Sequence, residues 1–142
     1  MTYQVPAEAT PGIIDLRVTY SDTDAMGVVY YANYLRYFEY GRGELMRALG
    51  HTYREVEEGG LLLPVTEASC SYRKPARYDD LLRLETRVTR ARGARVCFAY
   101  TLRREPDEVL VTGATEHAVV SAVGRPTRLP EALRTLLAPA EG

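Results

Sequence analysis

The chain has 142 residues, of which 46% are hydrophobic and 26% charged, the make-up of one globular domain rather than of a disordered or fibrous chain. Its formal charge of −1 offers no bulk attraction to nucleic acid, and no stretch approaches the roughly 20 apolar residues that a membrane-spanning helix needs. Cys70 and Cys97, the only cysteines, stand far apart, which excludes a C-x-x-C zinc or redox pair and favours two reduced side chains.

Residues 1–11 carry two prolines and no periodicity, and are expected to form a loose tail ahead of one domain over residues 12–142. Met1 to Gly12 lacks a basic start followed by an apolar run, so no signal peptide is expected and the protein is expected in the cytoplasm. Ile14, Leu16, Val18 and Tyr20 alternate with polar residues, which predicts a strand. Ser21 to Gly27 breaks that pattern with turn formers. From there the period lengthens: Leu35, Phe38, Arg42, Leu45, Met46 and Leu49 fall three or four apart and define one face of a helix. Asn33 is a candidate N-cap for it and Gly50 its stop. Gly41 and Gly43 inside the helix are explained by close approach to another backbone. A short helix over 53–58 ends at Gly59-Gly60.

Strands follow. Val65 to Arg73 is the first, and Leu82 to Thr89 alternates as the second. After a turn near Gly93, Val96, Phe98, Tyr100 and Leu102 alternate in a third. A turn over 104–108 leads to a long last strand, Val109 to Val123, with Gly113 read as a bulge or bend. Pro130 opens a short closing helix through Leu137. One strand, a long amphipathic helix and four strands joined by short turns predict an α+β domain with an antiparallel sheet packed on that helix.

The familiar nucleophile, phosphate and dinucleotide motifs are absent: there is no G-x-S-x-G and no G-x-x-x-x-G-K-[ST], and Gly41-Arg42-Gly43 lacks a third glycine. His51 and His117 are too few for a metal cluster; His51 is expected at the surface and His117 in the core or an interface. No metal and no cofactor are expected.

The informative stretch is Tyr20-Ser21-Asp22-Thr23-Asp24-Ala25-Met26-Gly27-Val28-Val29-Tyr30-Tyr31-Ala32-Asn33-Tyr34. Taken as a turn between strand and helix, its aspartates bond nearby backbone N–H groups. Taken as a calcium loop, D-x-D-x-x-G starts correctly, but Met26 and Asn33 stand where oxygen ligands belong. Taken as a catalytic segment, a carboxylate beside a helix N-terminus faces N–H donors able to bond a carbonyl oxygen as negative charge builds on it. Residue positions alone leave all three open.

The segment YSDTDAMGVVYYANYL closely resembles the signature of the 4-hydroxybenzoyl-CoA thioesterase and YbgC-like acyl-CoA thioesterase family, approximately Y-x-D-T-D-x-x-G-V-V-Y-H-A-N-Y-L. The resemblance continues through Tyr72-Arg73-Lys74-Pro75-Ala76-Arg77-Tyr78-Asp79-Asp80 and from Gly113 to Pro130. It implies the hotdog fold, an antiparallel sheet wrapped around one long helix. It also implies an acyl-CoA substrate, CoA being part of that substrate rather than a cofactor, and dimers or tetramers with sites at the subunit interface.

By the same resemblance Asp24 is the catalytic carboxylate, acting as nucleophile or as general base, and Tyr20 supports it. Gly27, Val28 and Asn33 shape the loop and helix start that bind substrate, while Asp22 holds the loop. Tyr31 stands where YbgC-like members carry His and the 4-hydroxybenzoyl-CoA branch carries Tyr. A phenol with an ordinary pKa near 10 donates a hydrogen bond rather than moving protons near neutrality, so Tyr31 is expected to position substrate. Arg90, Arg92 and Arg95 around Gly93 are the expected contacts to the CoA phosphates, with Arg73, Lys74 and Arg77 a second basic group. Leu62 and Pro64, in an apolar run after Gly59-Gly60, are the expected acyl-pocket wall, contributed across a dimer. Two other readings compete: a non-catalytic acyl-CoA-binding hotdog dimer, and a dehydratase, which the absence of histidine from the motif disfavours.

Overall fold

A computed structural model describes residues 3–6 and 11–139. The long helix α1, Asn33–Ala48, lies across a six-stranded antiparallel sheet of order β1-β2-β5-β6-β7-β4, the hotdog arrangement the resemblance implies. Its strands are β1 (Tyr3–Gln4), β2 (Ile13–Arg17), β4 (Val65–Tyr72), β5 (Leu81–Arg92), β6 (Arg95–Arg104) and β7 (Glu108–Ala118). A two-stranded ribbon, β3 (Leu61–Leu62) with β8 (Val120–Ser121), sits beside it, with α2 at Tyr53–Glu58 and α3 at Glu131–Leu136. No helix among the described residues is long and apolar enough to cross a membrane.

The buried stripe of α1 is Tyr34, Tyr37, Phe38, Gly41, Leu45 and Met46, spaced as a 3.6-residue period demands. It is rotated from the expected face, so Leu35 stays 40% exposed. The stripe packs on Leu82, Leu84, Val96, Phe98, Tyr100 and Leu102, all facing inward from β5 and β6. Phe38 stacks on Tyr100 with ring centroids 4.3 Å apart. Two glycines permit this closeness. A Cβ on Gly41 would collide with Thr86 and Leu84 of β5, whereas one on Gly43 would meet open space, so close approach explains only the first. Gly113 is not a bulge. A Cβ there would run into the Phe38 ring and lie 2.7 Å from the Ser69 carbonyl oxygen. Gly113→Ala is expected to cost about 1–3 kcal/mol through overpacking, read from urea unfolding; an unchanged midpoint would contradict the packing.

Other sequence expectations shift for local reasons. Tyr3–Gln4 of the expected tail pairs with Leu16 and Asp15, and Tyr3 Oη donates to Glu44 at 2.8 Å; residues 1, 2 and 7–10 of that tail lie outside the described residues. Tyr20 does not continue β2, because the chain turns through a 3-10 segment, Tyr20–Asp22, which leaves its ring 77% exposed. The long last strand is two: β7 ends at Ala118 and Val120–Ser121 leaves to pair with β3. The largest difference concerns β4, which neighbours β7 at the sheet edge and not β5. Residues 73–80, stiffened by Pro75, form a crossing rather than a hairpin turn, and deliver the chain to β5 beside β2.

His117, on the inner face of β7, is 1% exposed. Its Nδ1 lies 2.9 Å from the Leu63 carbonyl oxygen and its Nε2 2.9 Å from Thr115 Oγ1. A carbonyl only accepts, so Nδ1 carries the hydrogen; Nε2 then accepts from Thr115, which in turn accepts from Tyr100 at 2.6 Å. Burial holds the imidazole pKa below its ordinary value. An unfolded chain therefore takes up a proton that the folded one refuses. The stability is complete above the unfolded value near 6.5 and is lost as pH falls below it, at no more than about 1.4 kcal/mol per pH unit. Urea midpoints between about pH 6.5 and 5.5 are expected to fall in the native protein and to change less in His117→Gln; parallel curves would contradict this.

Candidate active site

The loop before α1 separates its two aspartates by role. Asp22 is 3% exposed. Its Oδ2 accepts from the Tyr37 hydroxyl at 3.2 Å and from the Thr19 N–H at 3.3 Å, closing a capping box around the 3-10 turn. Its carbonyl accepts from Tyr30 N–H and from Asn33 Nδ2, both at 2.9 Å. Asp22 is thus committed to structure, and the Tyr37 phenol stays protonated, its pKa raised by burial and by the Asp22 charge. Asn33 is the first residue of α1 rather than its N-cap, which is Ala32; its side chain ties the helix back to the Asp22 carbonyl.

Asp24 is half-buried and differently placed. Its Oδ1 accepts from Met26 N–H at 2.8 Å, an Asx turn, and its carbonyl accepts from Gly27 N–H at 3.0 Å. Gly27 sits at φ 79°, where a side chain would strain the turn. Asp24 N–H bonds the Val28 carbonyl at 2.9 Å, and Val28 and Val29 bridge to residues 76–77 of the crossing. Among the described residues, Asp24 Oδ2 has no hydrogen-bond partner. The carboxylate is therefore oriented by one oxygen and free at the other.

Beyond this loop the backbone enters α1 through Tyr31 and Ala32. Asn33 N–H is spent on Tyr30 at 2.8 Å, while those of Tyr34 and Leu35 make long turn contacts at 3.4 and 3.3 Å. The N–H groups of Tyr31 and Ala32 have no acceptor among the described residues, which leaves them as the leading donors of the helix end.

A cleft of about 240 Å³ adjoins this point, lined by Val29, Tyr31, Tyr34, Tyr72, Arg73, Lys74 and Pro75. Tyr31 and Tyr72 are 61% and 51% exposed, and their rings meet edge to face at 6.4 Å. Burial and Cys70 push the Tyr72 phenol up to about 12, so it remains a neutral donor.

The expected residues do not all gather here. Tyr31 lines the cleft, while Asp24, Gly27, Val28 and Asn33 stand in the loop and helix start on either side of the lining residues Val29 and Tyr31. Tyr20 turns its ring away, edge-on to Tyr78 at 5.7 Å, and serves the loop by its carbonyl, which accepts from Thr23 Oγ1 at 2.7 Å. Leu62 and Pro64 precede β4, at the opposite end of that strand from Tyr72, so within one chain they line no part of the cleft. Nor do the arginines of the Gly93 turn. Asp24 lies by residues 76–77, just ahead of β5, and Arg92 ends that strand. Twelve residues of extended chain separate them by roughly 36 Å. Arg95 is engaged by Glu116 at 3.0 Å and Arg90 is exposed. Arg92 instead joins Arg128 and Arg134 around a cleft of about 380 Å³ with Glu131.

Sequence reading assigned no role to Tyr34, Tyr72, Arg128 or Arg134. The first two stand inside quoted motifs, where their spacing could have flagged them. Arg128 lies at the end of the Gly113–Pro130 stretch and Arg134 in the closing helix, and neither stands near Arg92 in sequence.

The profile of the thioesterase superfamily matches residues 26–111. The putative acyl-CoA thioesterase YneP of Bacillus subtilis is 33% identical over 106 residues, covering 75% of this chain and 77% of its own. The acyl-CoA thioesterase YbgC of Haemophilus influenzae is 36% identical over 122 residues, covering 84% and 88%. The crystal structure of a hypothetical protein from Aquifex aeolicus superposes with a TM-score of 0.85 at 32% identity, over 89% of this chain and 99% of that one. With the hotdog fold in place and the signature segment at the mouth of its helix, the chain belongs to the thioesterase superfamily and is a thioester hydrolase.

Proposed function

We propose that the protein hydrolyses acyl-CoA thioesters to a free carboxylic acid and CoA, with Asp24 as the reacting carboxylate. The observation that carries this reading is the division of labour in the D-T-D loop: one aspartate is buried in structural bonds, while the other is held by a single oxygen, the second having no partner among the described residues. Either Asp24 attacks the thioester carbonyl, expelling CoA thiolate and leaving an anhydride for water to cleave, or it takes a proton from water that attacks directly. In both routes the carbonyl oxygen gains negative charge, and the N–H groups of Tyr31 and Ala32 are the donors suited to receive it.

One chain does not bring the expected residues together, since Arg92 stands at the far end of β5 from the Asp24 loop. A second copy remedies this. Of the two sheet edges, β1 has two residues, whereas β4 has eight, seven of them exposed. A long exposed edge invites pairing with another strand. Antiparallel pairing of β4 with its copy about a two-fold axis lays the Tyr72 end of one strand beside the Val65 end of the other. Leu62 and Pro64 of the second copy then approach the tyrosine cleft, and its Arg92, Arg128 and Arg134 join Arg73 and Lys74 of the cleft lining as candidate contacts for the CoA phosphates. The protein is expected to act in the cytoplasm as such a dimer, or as a tetramer of two.

Release of free thiol, measured across CoA thioesters with short, long and aromatic acyl groups, tests the activity. At least one member is expected to be cleaved to acid and CoA in equal amounts. Calorimetric binding without thiol release from any member would favour the non-catalytic reading instead.

A further inference from the structure

Residues 75–80 of the crossing are held from two sides. On one side they meet the loop of Asp24. Val29 N–H bonds the Ala76 carbonyl at 2.8 Å, Val28 bridges to Arg77, and Asp24 N–H in turn bonds the Val28 carbonyl at 2.9 Å. On the other side they meet Arg104, the last residue of β6. Its Nη1 donates to Asp80 Oδ2 at 2.8 Å and to the Pro75 carbonyl at 3.4 Å. Its Nε and Nη2 donate to Glu108 Oε1 at 2.9 and 2.6 Å. Asp80 Oδ2 also accepts from Arg77 N–H at 2.8 Å, and Glu108 Oε2 from Lys74 Nζ at 2.7 Å. One guanidinium thus ties the crossing to the ends of β6 and β7. A planar fork with donors in fixed directions suits that task, and a lysine does not.

We propose that Arg104 is a positioning residue for thioester cleavage: it holds residues 75–80 in the place from which Val28 and Val29 set the Asp24 turn. The inference rests on the acyl-CoA reading above and deepens it. Packing alone does not fix either partner. Ala25, Met26 and Gly27 at the tip of the turn are exposed, and between Arg73 and Asp79 only Ala76 is buried. Polar bonds must therefore fix the crossing. Backbone bonds secure its two ends, Arg73 and Lys74 to Leu110, and Asp79 and Asp80 to Val18. Between those ends, Arg104 is the side chain that bonds both Pro75 and Asp80. Its side chain is only 28% exposed, so these bonds are better shielded from water than those of a surface ion pair. A small displacement of the crossing passes through Val28 to the backbone of Asp24, and a reacting group misplaced by an ångström loses much of its effect.

The experiment uses Arg104→Met, which keeps the stem and removes every donor, with benzoyl-CoA or octanoyl-CoA, whichever the native protein cleaves faster. The variant is expected to lose roughly ten- to a hundredfold in kcat while KM stays within about threefold, because the carboxylate moves and the binding surfaces remain. Hydrogen exchange at the Val29 amide is expected to quicken by about tenfold or more relative to amides at the centre of β6. A merely structural role would lower the urea midpoint, speed both sets of amides together and leave kcat of the folded protein within about twofold of native. That result would overturn the proposal, as would a loss confined to KM. Should Arg104→Met not fold, Arg104→Lys decides, since it keeps the charge without the fork; native kcat and native Val29 exchange in that variant overturn the proposal equally. Absence of thiol release from every CoA thioester would sink the activity itself and this inference with it, whereas native turnover with an unchanged kcat in the variants sinks the inference only.

Discussion

Asp24→Asn is expected to lower kcat for thiol release by roughly a hundred- to ten-thousandfold, the range for loss of a reacting acid or base. The substitution is nearly isosteric. Asparagine still offers an oxygen to Met26 N–H, so the turn that carries it survives. Its amide can neither attack a thioester carbonyl nor take a proton from water. The loss should therefore fall on kcat rather than KM, because the carboxylate acts on the transition state and contributes little to holding CoA. Thermal unfolding and subunit association should match the native protein. Asp22→Asn makes the contrast. It weakens the bonds to Tyr37 and Thr19 on which the loop depends, so it should lower stability together with activity. Full activity in Asp24→Asn would assign the chemistry to another group.

The second large effect concerns the edge of the sheet. Ser69 and Ser71 are exposed on β4, on the face that also carries Glu67. Replacing both serines with glutamate gives each strand three carboxylates along the seam where two copies of β4 would meet. Like charges set across a strand pair repel, and carboxylates have poor strand propensity. The double variant is expected to run as a folded monomer in analytical ultracentrifugation and to lose thiol release by roughly a hundredfold or more, because the acyl wall and the phosphate contacts leave with the partner. Its circular dichroism should stay native-like, since neither side chain contacts the core. An active monomer would show that one chain holds a complete site.

Sequence patterns reached the local features because local interactions set them. Period-two alternation located β5, β6 and most of β2, and the 3.6-residue rhythm located α1, since each element buries one face of itself. The same patterns did not reveal where β4 lies. Its pairing with β7 joins Val65 to His117 and Tyr72 to Val111, contacts between residues far apart in sequence, and alternation within a strand carries no information about its neighbour. Short connections suggested a meander; Pro75 and the bonds from Val29 to Ala76 made a crossing instead.

The site divides the same way. The D-T-D loop with Gly27 was legible as a turn at a helix mouth, and the resemblance singled out Asp24 within it. The different burial of Asp22 and Asp24 was not visible in the string, because it depends on Tyr37 reaching back from α1. Tyr34 stood in the signature without a role, and only the crossing, whose Ala76 N–H bonds its hydroxyl, set it against Tyr72 in the cleft lining. The three arginines near Gly93 looked like one cluster by proximity in sequence. The hairpin sends them apart, giving Arg95 to Glu116 and Arg92 to a group completed by α3.

The most direct test is a structure of the protein with an analogue of a cleaved acyl-CoA in which a methylene replaces the thioester sulfur. The ketone carbon should lie about 3–3.5 Å from the free oxygen of Asp24, or one water away, with its oxygen directed at the N–H groups of Tyr31 and Ala32. A ketone bound elsewhere, with Asp24 Oδ2 turned into the loop and no substrate atom near it, would contradict the account.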